Sequence, residues 1–279
     1  MTTTVINQYS PAQEGDHLAL EQEKGQYTLW QILGIWLSAG APMWILGWLV
    51  YPLLSRDLPA VDAALLRIQL LTVGLAWQFV LAMLILHREE GDIRIETIRR
   101  RFWLNGPVSP RTRRKNNKLW WLLIPLILLN AAQELGLAPW LGDLWIRALP
   151  FLAEPEGYSP AVLFAPEYRS LWVGAWNLLG LQIMLSVFNT FLGEEFIFRG
   201  VLLPKMKGVF GRWDWVANGA IFGLYHLHQP WGIPGSILHG LLLAFTGKHY
   251  RSNWFPIVLH SGQSVYFIVL ILGLVLGLA

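Results

Sequence analysis

The sequence predicts an all-α polytopic membrane protein, and three of its features carry the prediction. Of 279 residues, 54% are hydrophobic and only 14% charged, against about a quarter charged in an ordinary soluble domain. Five apolar runs, 30–54, 65–86, 119–137, 171–192 and 254–278, are each about long enough to cross a ~30 Å hydrocarbon layer as a helix. Lysine and arginine gather between the runs, in the way that fixes the sidedness of membrane insertion. Backbone polar groups in lipid must be satisfied within their own segment, which makes the runs helices. The runs are continuous, not alternating, so a barrel is excluded.

Residues 1–29 are polar and slightly acidic, with Glu14, Asp16, Glu21 and Glu23 against Lys24. They read as a disordered cytoplasmic tail lacking the basic start of a cleavable signal, so the first run stays as an anchor. Residues 30–168 then form the N-terminal transmembrane helices. Their loop 87–118 holds ten Arg and Lys residues between Arg88 and Lys118, which places it, and the N-terminus with it, on the cytoplasmic side. Counting onward puts 138–168 outside and Lys205, Lys207, Arg212, Lys248 and Arg251 inside. Topology and anionic lipid account for such a basic stretch, so the expected partner is the lipid bilayer and not nucleic acid. Scattered Pro, Gly and acidic residues make 138–168 an irregular extracytoplasmic loop with room for a short interfacial helix. Many of the 16 tryptophans sit near span ends, as an aromatic belt does. With no cysteine, disulfides, thiolate metal sites and a cysteine nucleophile are excluded.

Residues 169–279 form a membrane core of different texture. Pro230, Gly232, Pro234, Gly235, Asn253 and Pro256 interrupt its apolar segments. Short, broken membrane helices are tolerated where they line a cavity, so a cavity is expected in this half. Between 170 and 279 there are three acids, Glu194, Glu195 and Asp214, and five histidines, His226, His228, His239, His249 and His260. Ionisable groups at membrane depth are expensive and tend to face pathways or reaction sites. Glu195 and Arg199 stand at i, i+4 with the acid first, the favourable order for a helical pair. Glu194 lies about 100° round the helix, against Phe196, Ile197 and Phe198, and is the candidate general base. The plainer alternative is that both carboxylates sit in headgroup water at the end of a span. Phe222 and His226 share a face of a short span 214–229, with His228 pointing nearly the opposite way. His260, Gln263 and Ser264 share a face of the last span. His228, His239 and His249 read as structural or interfacial.

These residues resemble the CAAX-protease and bacteriocin-processing (CPBP, or Abi) intramembrane proteases. That family carries two glutamates, three residues and an arginine; then a phenylalanine, three residues and a histidine; then a histidine followed four residues later by asparagine or aspartate. Here the motifs read Glu194-Glu195-Phe196-Ile197-Phe198-Arg199-Gly200, Phe222 to His226, and His260. The likeness covers roughly 170–277. Position 264 departs from it, being serine, with the Gln263 amide one residue earlier.

The resemblance implies about seven to eight transmembrane helices with the active site in a conical cavity among the C-terminal ones. It implies a multi-pass protein of a prokaryotic plasma membrane that hydrolyses a membrane-bound or lipidated protein or peptide near the cytoplasmic face. Glu194 with His226 would activate a water, Glu195 and Arg199 would fix the helix, and His260 with Gln263 or Ser264 would donate hydrogen bonds to the oxyanion. The cofactor is none or a divalent metal such as zinc, for which Glu194, His226 and His260 would be the ligands. Ser264 leaves a non-catalytic adaptor or immunity protein of the same fold as the alternative. A proton-coupled transporter would also place acids in the membrane, but the chain shows no inverted repeat.

Overall fold

The computed structural model describes residues 25–278. Five helices are long and apolar enough to cross a membrane: α1 (Leu29–Ser55), α2 (Ala60–Glu90), α4 (Asn117–Ala148), α5 (Trp176–Lys205) and α8 (Trp254–Val275). Between them lie a short α3 (Ile95–Arg101), a 12-residue α6 (Asp214–Tyr225) and an 18-residue α7 (Ile233–Tyr250). Among the described residues no strand forms beyond one isolated bridge, Val108 to Lys115. Side chains such as Leu53, Leu128 and Val269 are more than half exposed, as lipid-facing positions are. These helices mark an integral, multi-pass membrane protein. At ~1.5 Å per residue, α6 rises only about 18 Å, short of the bilayer's hydrocarbon layer.

Most of the expected tail, residues 1–24, lies outside the described residues. Gln26 and Tyr27, within the stretch read as disordered, are held against the bundle: the Tyr27 amide donates to Lys205 O at 2.9 Å, and its hydroxyl to Glu89 at 2.5 Å. Thr28 caps α1 through the Gln31 amide, and Gln31 reaches back to the Thr28 amide.

The segment 138–168 is not irregular throughout. Helix continues to Ala148, and only short 3-10 turns follow. Pro139 and Gly142 read as breakers, but a wide π turn at Gln133–Leu137 precedes Pro139. A wide turn relaxes the i to i−4 ladder that proline would interrupt. The next span starts later than expected, at Trp176, because Gly174 turns left-handed with φ 79° and breaks the helix before it. The span predicted over 214–229 ends at Tyr225, leaving His226 to Gln229 in a turn.

The basic segments converge at one end of the bundle. Val108 N donates to Tyr250 O at 2.8 Å and Asn253 N to Trp103 O at 2.9 Å. Glu89 binds Arg101 at 2.9 Å and Lys205 at 2.6 Å. Lys248 pairs with Asp214 nearby. Arg101 is buried and also donates to Gly200 O at 3.1 Å, so this arginine is a tie between helices and not only a topological charge.

Lipid is as apolar as the side chains, so helices in a membrane associate through close packing and hydrogen bonds more than through hydrophobic burial. Both are present. Several tryptophans act as clamps and not as belt residues: Trp36 donates to Ile221 O and Trp48 to Leu227 O, each at 2.8 Å, and Trp145 to Pro230 O at 3.1 Å. Helices α6 and α7 touch at Gly219, where an added Cβ would lie 2.6 Å from Leu241 N. Around the site, Phe102 and Phe196 meet edge to face at 4.8 Å, within a core that includes Phe198, Val201 and Phe222.

Helix α5 carries both glutamates between two π-helical stretches, Phe188–Gly193 and Phe196–Leu202. Gly193 is required there: a Cβ would lie 2.4 Å from Phe188 O and 2.8 Å from Leu75 O of α2. The second stretch is buried on every residue.

Candidate active site

Glu194 and Glu195 are buried to 2% and 0% exposure, well inside the bundle and not in headgroup water. Their environments differ as the helical spacing requires. Glu195 Oε1 accepts from Arg199 Nη1 at 3.1 Å and from His260 Nδ1 at 2.9 Å. Arg199, itself fully buried, donates from Nη2 to Gly240 O at 3.2 Å and lies 4.1 Å over the Phe222 ring. Charge, hydrogen bonds and an aromatic face together replace water around the pair.

Glu194 has no arginine. Its Oε1 accepts from the Tyr225 hydroxyl at 2.6 Å and lies 4.0 Å from His226 Nε2; its Oε2 lies 3.6 Å from His260 Nε2 and accepts no hydrogen bond among the described residues. The three expected centres, Glu194, His226 and His260, thus converge from α5, the end of α6 and α8.

The imidazole partners fix which nitrogen is free. His226 Nδ1 is 2.9 Å from Phe222 O; a carbonyl only accepts, so Nδ1 carries the proton. His260 Nδ1 meets a carboxylate and must donate as well. Both rings therefore turn Nε2 towards Glu194. From Nε2, His260 donates only when its ring holds both protons.

The ending of α6 at Tyr225 corrects the expected placement of His228. In the turn, its ring comes to the same side as His226, stacked at 5.5 Å. His239 stands beside the site as well. Its Nδ1 lies 2.9 Å from Glu134 and from Asn130, and its ring meets His260 edge on at 5.0 Å. His249 stacks on Phe245 at 5.1 Å, within α7.

A cavity of about 560 Å³ opens onto Glu194, His226 and His260, with Phe222, Gln263 and Asn189 in its wall. Its remaining lining comes from Glu134 to Glu154 and Gln229 to His239. None of the basic segments contributes to the lining, so the cavity lies away from the basic end of the bundle. Ser264 is buried and lines a neighbouring cavity. Among the described residues neither Ser264 nor Gln263 hydrogen-bonds to His260.

Sequence reasoning missed Tyr225, Asn189, Glu134 and His239. Tyr225 carried a signal, a hydroxyl in the middle of an apolar run and beside a motif histidine. Glu134 and His239 meet across 105 positions, which no local spacing reveals.

The residues do not fit a metal. Among the described residues no three carboxylate or imidazole groups are arranged to hold one ion: the two Nε2 atoms approach different Glu194 oxygens, and Oε1 is taken by Tyr225.

An all-α membrane bundle with buried glutamates and histidines around one cavity suits a membrane-embedded protease. Residues 175–266 match the family model described as type II CAAX prenyl endopeptidase Rce1-like; this third of the chain is an Rce1-like domain of the CAAX-protease (CPBP/Abi) family, a family of intramembrane proteases. No curated protein matches the chain. No solved structure matches it. The matched stretch holds every motif residue, while Arg67 and Glu134 lie outside it.

Proposed function

We propose that the chain is an intramembrane endopeptidase that hydrolyses a peptide bond of a membrane-bound or lipidated substrate with a glutamate-activated water. The observation that carries this reading is the spacing of Glu194 from His226 Nε2, 4.0 Å, which one water can bridge. Glu194 takes the proton of that water as it attacks the peptide carbonyl, and later delivers it to the leaving amine. His226 Nε2, its opposite nitrogen committed to Phe222 O, accepts from the same water. Tyr225 holds the Glu194 carboxylate in place.

The oxyanion needs donors set in advance in a dry site. Gln263, in the cavity wall, offers an amide N–H in every protonation state; His260 offers Nε2–H when doubly protonated. Glu195 and Arg199 keep His260 oriented through Nδ1. No step passes through a metal. If the basic end is cytoplasmic, substrate reaches the cavity from the extracytoplasmic side.

The test is cleavage of a membrane-anchored peptide library in proteoliposomes, read by mass spectrometry. Glu194→Gln should lower the rate at least ~10²-fold, the usual worth of general base catalysis. Undiminished cleavage by that variant would refute the reading.

A further inference from the structure

A second cavity, about 340 Å³, adjoins the first and shares Asn189, Glu194, His226 and Gln263 with it. At ~30 Å³ per water it has room for roughly ten waters, more than a packing defect. Part of its wall is polar although it lies among membrane-spanning helices. Gln182, Ser186 and Asn189 follow one another at i, i+4 and i+7 on α5, the spacing of a single helix face. Gln263 and Ser264 of α8 join them. Glu154, Tyr158 and Pro160, from the loop between α4 and α5, also belong to the lining. That loop lies outside the spans, so water reaches the cavity without crossing lipid.

Polar side chains inside a bundle often tie helices together, but these do not. Gln182 donates to Ser186 of its own helix, at 3.1 Å. The bond that joins α5 to α8, from Ser261 to Thr190 at 3.3 Å, involves residues outside the lining. Asn189, Gln263 and Ser264 make no side-chain hydrogen bond among the described residues. Glu194 Oε2 accepts none either, on a residue 2% exposed. A polar group taken from water and left unpaired is costly, and waters held among several such groups remove that cost. Hydrolysis consumes one water per bond at the gap between Glu194 and His226, while a peptide that fills the first cavity displaces the water there. Both residues line the second cavity too.

We propose that the second cavity is a hydrated chamber that delivers the attacking water to Glu194 and His226 while substrate occupies the first. This rests on the protease reading given above. It adds a division of labour, with peptide on one side of the reactive pair and water on the other.

The experiment uses the full chain in proteoliposomes and reads hydration and cleavage separately. X-ray radiolysis turns water into hydroxyl radicals, which oxidise a methionine beside that water even where bulk solvent does not reach. Met43 lines the second cavity and is 2% exposed, whereas Met206 is 0% exposed and lines neither cavity. Mass spectrometry should find Met43 oxidised several-fold faster than Met206. Ala64→Leu in α2 and Ser186→Leu in α5 each put a larger side chain into the wall. Checked for folding by circular dichroism, both should slow Met43 oxidation and lower kcat about tenfold with KM little changed. Met43 oxidised no faster than Met206 in the wild-type protein overturns the proposal without any variant. An unchanged kcat when filling protects Met43 overturns it too, and a raised KM at unchanged kcat does so by assigning the cavity to substrate. Oxidation of Met43 beside cleavage indifferent to Glu194→Gln would leave a hydrated cavity and reject the protease reading. Cleavage that Glu194→Gln abolishes, with Met43 as slow as Met206, would do the reverse.

Discussion

His260 Nδ1 stands 2.9 Å from Oε1 of Glu195, the same oxygen that Arg199 Nη1 approaches at 3.1 Å. One carboxylate oxygen therefore joins α5 to α8 and neutralises a buried guanidinium. Glu195→Gln should destabilise the protein by about 3–5 kcal/mol, the cost of leaving one half of a buried pair. Glu195→Gln combined with Arg199→Met should lose less than the two single changes added together. Thermal unfolding in micelles measures both, and strict additivity would contradict the coupling.

Tyr225 donates to Glu194 at 2.6 Å but is not among the residues lining either cavity. Tyr225→Phe removes the donor and leaves the ring. The expected outcome is a kcat about tenfold lower, because an unheld carboxylate attacks from many positions, with KM little changed. A KM rise without a kcat loss would assign Tyr225 to substrate binding instead.

At the basic end, Glu89 receives Tyr27, Arg101 and Lys205, and Arg101 is buried. Glu89→Gln should cost about 2 kcal/mol or more. Arg100, whose side chain is 65% exposed, pairs with Glu90 at 2.6 Å; Arg100→Gln should cost less than ~1 kcal/mol and only at low salt. Comparable losses from the two changes would mean that burial does not set their weight.

Close approach of α6 and α7 makes Gly219→Ala destabilising by about 1–3 kcal/mol, since the new methyl meets backbone atoms of Leu241 and Gly240. Around Gly34 in α1 the space a methyl would occupy is open, with no neighbouring atom within 4 Å, so Gly34→Ala should be neutral or stabilising by ~0.5–1 kcal/mol. Melting temperatures of the two variants decide the point, and opposite signs are expected.

What could be read from the sequence was what lies close along it. The Glu195–Arg199 pair and the Phe222–His226 contact are i, i+4 relations, and the long apolar runs announce their helices by length. The ends of elements were less legible: Pro139 looked like a stop because a wide turn upstream has no compositional mark, and the end of α6 at Tyr225, not four residues later, moved His228 beside His226. The Tyr225 donor to Glu194 and the Glu134 partner of His239 follow from no local spacing. Tyr225 reaches Glu194 across 31 positions and Glu134 reaches His239 across 105, and only helix packing creates either contact.

The wide turns flanking Glu194 and Glu195 also give α5 a change of phase. Each π turn takes up about one residue more than an α turn, so the helix beyond it is rotated by about 100° from where a uniform helix would put it. The lipid-facing stripe of Trp176–Val187 accordingly does not continue into Phe196–Leu202. Removing a single residue from Phe188–Gly193 would let the wide turn close into an ordinary α turn, with the helix beyond it in the same place and both carboxylates still facing His226 and His260. The wide turn thus works as slack in the count of residues along one helix, and a family member one residue shorter there could keep every motif and the site as well.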